Sequence, residues 1–184
     1  MRRTLRVLTF AATAALVWTP VPAHAEFFAA PFIGGIFGTK PDNPNSSTVF
    51  GADVGGLGGG LIGGELDFGY HSHVFGDTAT VGSNYMFNVM ADVLVAVPLV
   101  GRTGVRPFFS AGGGIIRSSI EAAHISQNDS AFSVGGGALG YFSKHYGLRG
   151  DIKYFRTINS NTSFLDETVG SLGYWRASIG LMLR

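Results

Sequence analysis

Apolar and polar residues alternate with a period of two in eight separate stretches of this chain, and several stretches keep carboxylates on the face a soluble protein would keep dry. In Ile62 to Tyr70, the residues Ile62, Leu66, Phe68 and Tyr70 share one face while Glu65 and Asp67 share the other. A wall that meets lipid outside and encloses a polar interior needs this arrangement. The alternation predicts strands at about 27–37, 48–57, 61–75, 84–97, 105–117, 131–142, 145–157 and 172–184. Both faces of the first are apolar, from Phe27 and Phe28 to Ile36 and Phe37, so its parity stays open.

The connections alternate in length. Gly58-Gly59-Gly60, Pro98 to Gly104 and Ser143-Lys144 are short, whereas Gly38 to Ser47, Gly76 to Ser83, Ser118 to Ser130 and Ile158 to Ser171 are long and rich in Asn, Ser, Thr, Asp and Gly. An even strand number with alternating turns predicts an all-β fold, an eight-stranded antiparallel up-and-down transmembrane β-barrel, with short turns and both termini on the periplasmic side. Tyr70, Tyr85, Phe132, Tyr154 and Trp175 sit near the outer strand ends on lipid-facing parity, where an aromatic girdle belongs, and Phe142 and Tyr146 mark the periplasmic rim.

Residues 1–25 have the three parts of a secretory signal: Arg2, Arg3 and Arg6, an apolar run from Val7 to Trp18, and Ala23-His24-Ala25 before Glu26. The apolar run is short for a spanning helix. Cleavage after Ala25 leaves one domain, 26–184, and removing three arginines takes the formal charge from +1 to −2, which disfavours nucleic acid as a partner. With no cysteine, the exported chain has no disulfide framework and no thiolate metal site.

The segments GGELDFGY (63–70), RPFFSAGGGIIR (106–117) and GLRGDIKYFR (147–156) resemble the bacterial outer-membrane β-barrel domain family of small OmpA- and OmpX-like eight-stranded barrels. The resemblance spans essentially all of 26–184. It implies the bacterial outer membrane, with outer-membrane lipids and the barrel-insertion machinery as partners, a monomer, and an extracellular ligand met through the loops. The family's last strand commonly ends on an aromatic residue read by that machinery. Here it reads Gly180-Leu181-Met182-Leu183-Arg184, although Trp175, Ala177, Ile179, Leu181 and Leu183 still alternate as a lipid-facing closing strand.

On the opposite parity lie Asp53, Glu65, Asp67 and Asp92 from strands two to four, and Arg149, Asp151, Lys153 and Arg176 from strands seven and eight. In an eight-stranded barrel strand three stands opposite strand seven, so an acidic wall faces a mainly basic one across a narrow lumen. Buried ions need partners, and the expected result is a plug of ion pairs, structural or rearrangeable as proposed for OmpA-type barrels. Gly58 to Gly63 formally fits G-x-G-x-x-G, yet a strand follows instead of the helix that phosphate binding needs, and no cofactor is expected. His71, Ser72, His73 and Asp77 form the one cluster suggestive of catalysis or metal binding. Alternation separates Ser72 from both histidines, so a non-enzymatic structural or surface-interaction role is expected ahead of a narrow ion or solute channel, a lipid A-modifying enzyme, or a soluble lipocalin-like barrel.

Mass spectrometry of the protein extracted from membranes is expected to find Glu26 as its first residue; retention of Arg6 would refute the signal reading.

Overall fold

The computed structural model describes residues 26–38, 48–72, 84–97, 104–120, 125–158 and 173–184. The signal segment, His73, Asp77 and most of the long connections lie outside them. Eight strands run in order: β1 (Glu26–Phe37), β2 (Thr48–Gly58), β3 (Ile62–Ser72), β4 (Asn84–Ala96), β5 (Val105–Ile120), β6 (Ile125–Tyr141), β7 (Tyr146–Thr157) and β8 (Gly173–Leu183). Each pairs antiparallel with its sequence neighbours, and β1 pairs with β8 to close the barrel. Closure leaves no free sheet edge within the wall, the condition for strands in hydrocarbon, where an unpaired peptide group has no water to bond.

Period-two alternation becomes inside and outside. Along β7, Gly147, Arg149, Asp151, Lys153 and Phe155 are buried, while Tyr146, Leu148 and Ile152 are exposed. The parity of β1, open in the sequence, is set by closure: Phe28, Ala30, Phe32 and Ile36 turn inward, Phe27, Ile33 and Phe37 outward. Its register with β8 steps from Ala29↔Leu183 to Phe32↔Gly180, past Ala30 and Pro31, because proline has no N–H to give the ladder. At the short turn after β2, the Leu61 N–H donates to the Gly58 carbonyl at 3.2 Å, and Gly59 and Gly60 take φ of 61° and 72°. Positive φ at consecutive positions is what tight hairpins of the type I′ kind demand, which explains the glycine run without any phosphate.

Two strands correct the sequence expectation. The polar stretch Ser118 to Ser130 reads as a loop, yet the β5–β6 ladder continues through it to the pair Ile120↔Ile125. Ser, Asn and Asp mark turns because they solvate their own backbone, but here a pre-formed hairpin carries them on as a ribbon. From Phe132 to Ile125 β6 runs roughly 23 Å along its own direction at a strand's usual rise. The remaining strand ends fall within three residues of the expected ones.

Outside, the aromatic residues form a belt near the long-connection end. Phe37 and Trp175 stack with centroids 6.4 Å apart, Trp175 meets Tyr154 at 5.1 Å, Tyr154 meets Phe132 at 6.4 Å, and Tyr70 stacks on Tyr85 at 5.9 Å. Phe142 and Tyr146 project outward at the other end, 63% and 50% exposed. Large rings with a polar edge settle at a membrane boundary for both halves of their chemistry.

A cation in the middle of the wall should cost far more than one on the ribbon. Ile152→Arg is expected to lose about 2–4 kcal/mol of unfolding free energy in lipid vesicles, with Asn128→Arg nearly neutral. Equal tolerance would refute the assigned faces.

Candidate functional site: the charged lumen

The lumen is layered. At the short-turn end lie Phe28, Ala30, Leu57, Leu94, Ala96, Phe108, Leu139, Tyr141 and Met182, all buried and in contact. At the other end lie Ile36, Met86, Met90, Ile116, Ala131, Phe155 and Tyr174. Between them the inward parity of β2, β3, β4, β7 and β8 supplies Asp53, Glu65, Asp67, Asp92, Arg149, Asp151, Lys153 and Arg176, none more than 5% exposed.

Each base is held by several acids. Arg149 donates Nη1 and Nη2 to the two oxygens of Glu65 at 2.6 and 3.0 Å, across the barrel from β7 to β3, and its Nε to Asp151 at 2.9 Å. The same Nε lies 3.3 Å from Asp53. Lys153 spends its three N–H donors on three carboxylates, Glu65 at 2.7 Å, Asp67 at 2.8 Å and Asp92 at 2.9 Å. Arg176 grips Asp67 with both terminal nitrogens at 2.8 and 2.5 Å and lies 3.9 Å from Asp151. A forked guanidinium matches a carboxylate's two oxygens, and an ammonium can point three ways, so each base takes the role its geometry permits.

Neutral donors extend the network, while the carboxylate oxygens of Asp53 and Nε of Arg176 have no hydrogen-bond partner among the described residues. Ser133 Oγ donates to Asp92 at 2.5 Å, Ser178 Oγ to Asp151 at 2.7 Å, and Asn88 Nδ2 to Asp67 at 3.1 Å. The amide oxygen of Asn88 meets His71 Nε2 at 2.9 Å, and the His71 ring packs edge-on to Tyr174 at 5.6 Å. His71 therefore belongs to the lumen, while Ser72 lies on the other face. The guanidinium groups also join the charged layer to the apolar ones. Arg149 lies 4.7 Å from the Phe108 ring centre, and Arg176 lies 4.5 Å from that of Phe32 and 5.0 Å from that of Phe155.

Sequence reading left two features of this site unseen. One is the pair of apolar layers, whose members share parity with the charges but are separated along the chain. The other is a steric rule: in the register Glu65 opposes Gly55, Asn88 opposes Gly69, Asp92 opposes Gly112, Asp151 opposes Gly137 and Lys153 opposes Gly135, while Arg149 opposes Gly180, whose missing Cβ makes room for Pro31 and Phe32 instead. A Cβ on Gly135 would come within 2.6 Å of Lys153 Cγ, and one on Gly137 within 2.8 Å of Asp151 Cβ. The glycine runs at 112–114 and 135–137 were the available signal, readable only once the register is known.

The comparisons bear on fold. The family model described as outer membrane protein beta-barrel domain matches residues 8–181. No curated protein matches the chain in sequence. Among solved structures, Neisserial surface protein A is similar with a TM-score of 0.69 at 12% identity, over 86% of this chain and 97% of that one. The outer membrane protein OprG of Pseudomonas aeruginosa gives 0.59 at 12%, over 88% and 95%. Ail, the attachment invasion locus protein of Yersinia pestis, in complex with the heparin analogue sucrose octasulfate, gives 0.52 at 12%, over 86% and 99%.

Removing one member of a buried pair strands the other. Glu65→Gln and Arg149→Gln are each expected to lose about 3–5 kcal/mol, and the double variant to lose less than the sum by about 1–3 kcal/mol. Urea unfolding in lipid vesicles reads the cycle, and strict additivity would show that the pair is not coupled.

Proposed function

The chain belongs to the outer membrane protein β-barrel domain family, and from that premise we propose a sealed barrel that acts at the cell surface through what it displays, not through what it conducts or converts. One observation carries the reading: the buried charged cluster lies between two buried apolar clusters. Ions entering from either end meet an apolar layer, which disfavours water, before reaching charges already engaged with one another. An eight-stranded barrel has room for little more than its own side chains.

The ribbon at the far end of β5 and β6 supplies the display. Ser126 and Asn128 are exposed on it. From Ile125 to Ser130 β6 pairs with β5 on one side, while its ladder with β7 begins at Ala131↔Thr157, extended by the Ile158 N–H donating to Ser130 O at 2.8 Å. Two of the similar structures are named for a surface and an attachment role; those roles are theirs, and the likeness to them is one of fold.

The enzyme and channel alternatives have less support. His71 is fully buried and bonded to Asn88 on the inward face of β3. In this proposal the short turns face the periplasm and the ribbon faces outward, as short-turn and long-loop ends do in such barrels.

The absence of cysteine makes the test clean. Ser126→Cys is expected to react with a membrane-impermeant maleimide on intact cells and Lys144→Cys only after permeabilisation, and the purified protein is expected to give no conductance steps in planar bilayers. Steady conductance, altered lipid A on overexpression, or reversed labelling would overturn the reading.

A further inference from the structure

The short-turn end gathers cations. The rings and guanidinium groups there form one cluster: Arg106 Cζ lies 5.0 Å and Arg184 Cζ 5.3 Å from the ring centre of Tyr141. Both arginines share a single carboxylate, Glu26, which Arg106 Nη1 meets at 3.0 Å and Arg184 Nη2 also reaches. Next to them the Arg184 N–H donates to the His145 carbonyl at 2.9 Å, which fixes the β6–β7 turn against β8. That turn is closed by the Ser143 N–H donating to Tyr146 O at 3.1 Å and carries exposed Lys144 at its tip. Among the described residues, Glu26 is the only acidic side chain at this end, against the basic side chains of Arg106, Lys144 and Arg184.

The order of chemistry along the outer wall matters as much as the charge. Leu148, Leu181 and Leu183 are exposed on the apolar wall, Phe142 and Tyr146 follow at its boundary, and Lys144 lies just beyond. Tail, glycerol region and phosphate follow one another in the same order in a phospholipid. A soluble polyanion would match the cations but leave the adjoining aromatic pair without a role. We propose that this end is a docking site for the headgroup phosphate of an anionic phospholipid, with Lys144 and Arg184 as its cations and Phe142 and Tyr146 holding the glycerol region. Glu26 is shared between Arg106 and Arg184, so one carboxylate offsets only part of the charge of the two guanidinium groups and a net positive charge remains for the lipid.

The site requires that the barrel span a membrane, but neither a sealed lumen nor a given orientation. Native mass spectrometry of the detergent-solubilised protein, offered equal phosphatidylglycerol and phosphatidylcholine with the same acyl chains, is expected to show preferential retention of phosphatidylglycerol. Lys144→Gln and Arg184→Gln should each cut that preference about fivefold, the equivalent of roughly 1 kcal/mol per surface cation. Arg117→Gln, an equal loss of charge at the opposite end, should leave it unchanged. If Arg184→Gln fails to fold because Glu26 loses a partner, Lys144→Gln on its exposed turn still reads the site. Equal retention of the two lipids by the wild type, an equal effect of Arg117→Gln, or preferential capture of soluble peptidoglycan fragments would overturn the proposal. A conducting wild-type barrel that keeps its lipid preference would overturn the sealed-lumen reading alone.

Discussion

A peptide group in hydrocarbon has no water to bond, and everything else in this protein follows from that constraint. It forces the sheet to close, β1 onto β8, and closure at eight strands sets a bore narrow enough for side chains to fill. The bore must then be filled. Filling it with apolar groups alone would leave nothing to distinguish one rotation or register of the wall from another. The charged layer does so, because Arg149 reaches Glu65 and Arg176 reaches Asp67 only when β3, β7 and β8 hold one set of relative heights. Buried ion pairs are weak sources of net stability, but breaking one is costly, and that asymmetry makes them good at rejecting wrong arrangements.

The layers also explain each other. Carboxylates and guanidinium groups interact strongly here because the apolar layers above and below keep water away. The apolar layers are anchored in turn by the cation–π contacts of Arg149 on Phe108 and Arg176 on Phe155. The stacking of Phe155 on Tyr174 at 5.0 Å, with His71 against Tyr174, carries the charged network directly into the upper layer. The charged layer and the two apolar layers are thus in direct contact with one another.

Much of the fold was legible in the sequence because alternation and turn length are local properties, and lumen-facing charge marks parity wherever it occurs. Glu65 and Asp67 orient β3, and Arg149, Asp151 and Lys153 orient β7. β1 was illegible for the same reason: its inward residues, Phe28 through Ile36, belong to apolar or aromatic parts of the lumen and look like its outward ones. The β5–β6 ribbon was illegible because Ser, Asn and Asp signal turns unless a neighbouring strand already holds them. Which acid meets which base depends on strand heights around a tilted ring, a long-range property that spacing along the chain does not carry. The same holds for the glycines opposite Glu65, Asn88, Asp92, Arg149, Asp151 and Lys153.

Those glycines have a consequence for how such a lumen can change over generations. A Cβ at Gly55, Gly112, Gly135 or Gly137 would run into a backbone carbonyl oxygen of the facing strand before it met the polar side chain opposite. Exchanging the two residues of such a pair would leave that obstacle in place. The glycine is therefore the fixed member of each pair, and a lineage that keeps this wall can vary the polar side chain while the position facing it stays bare.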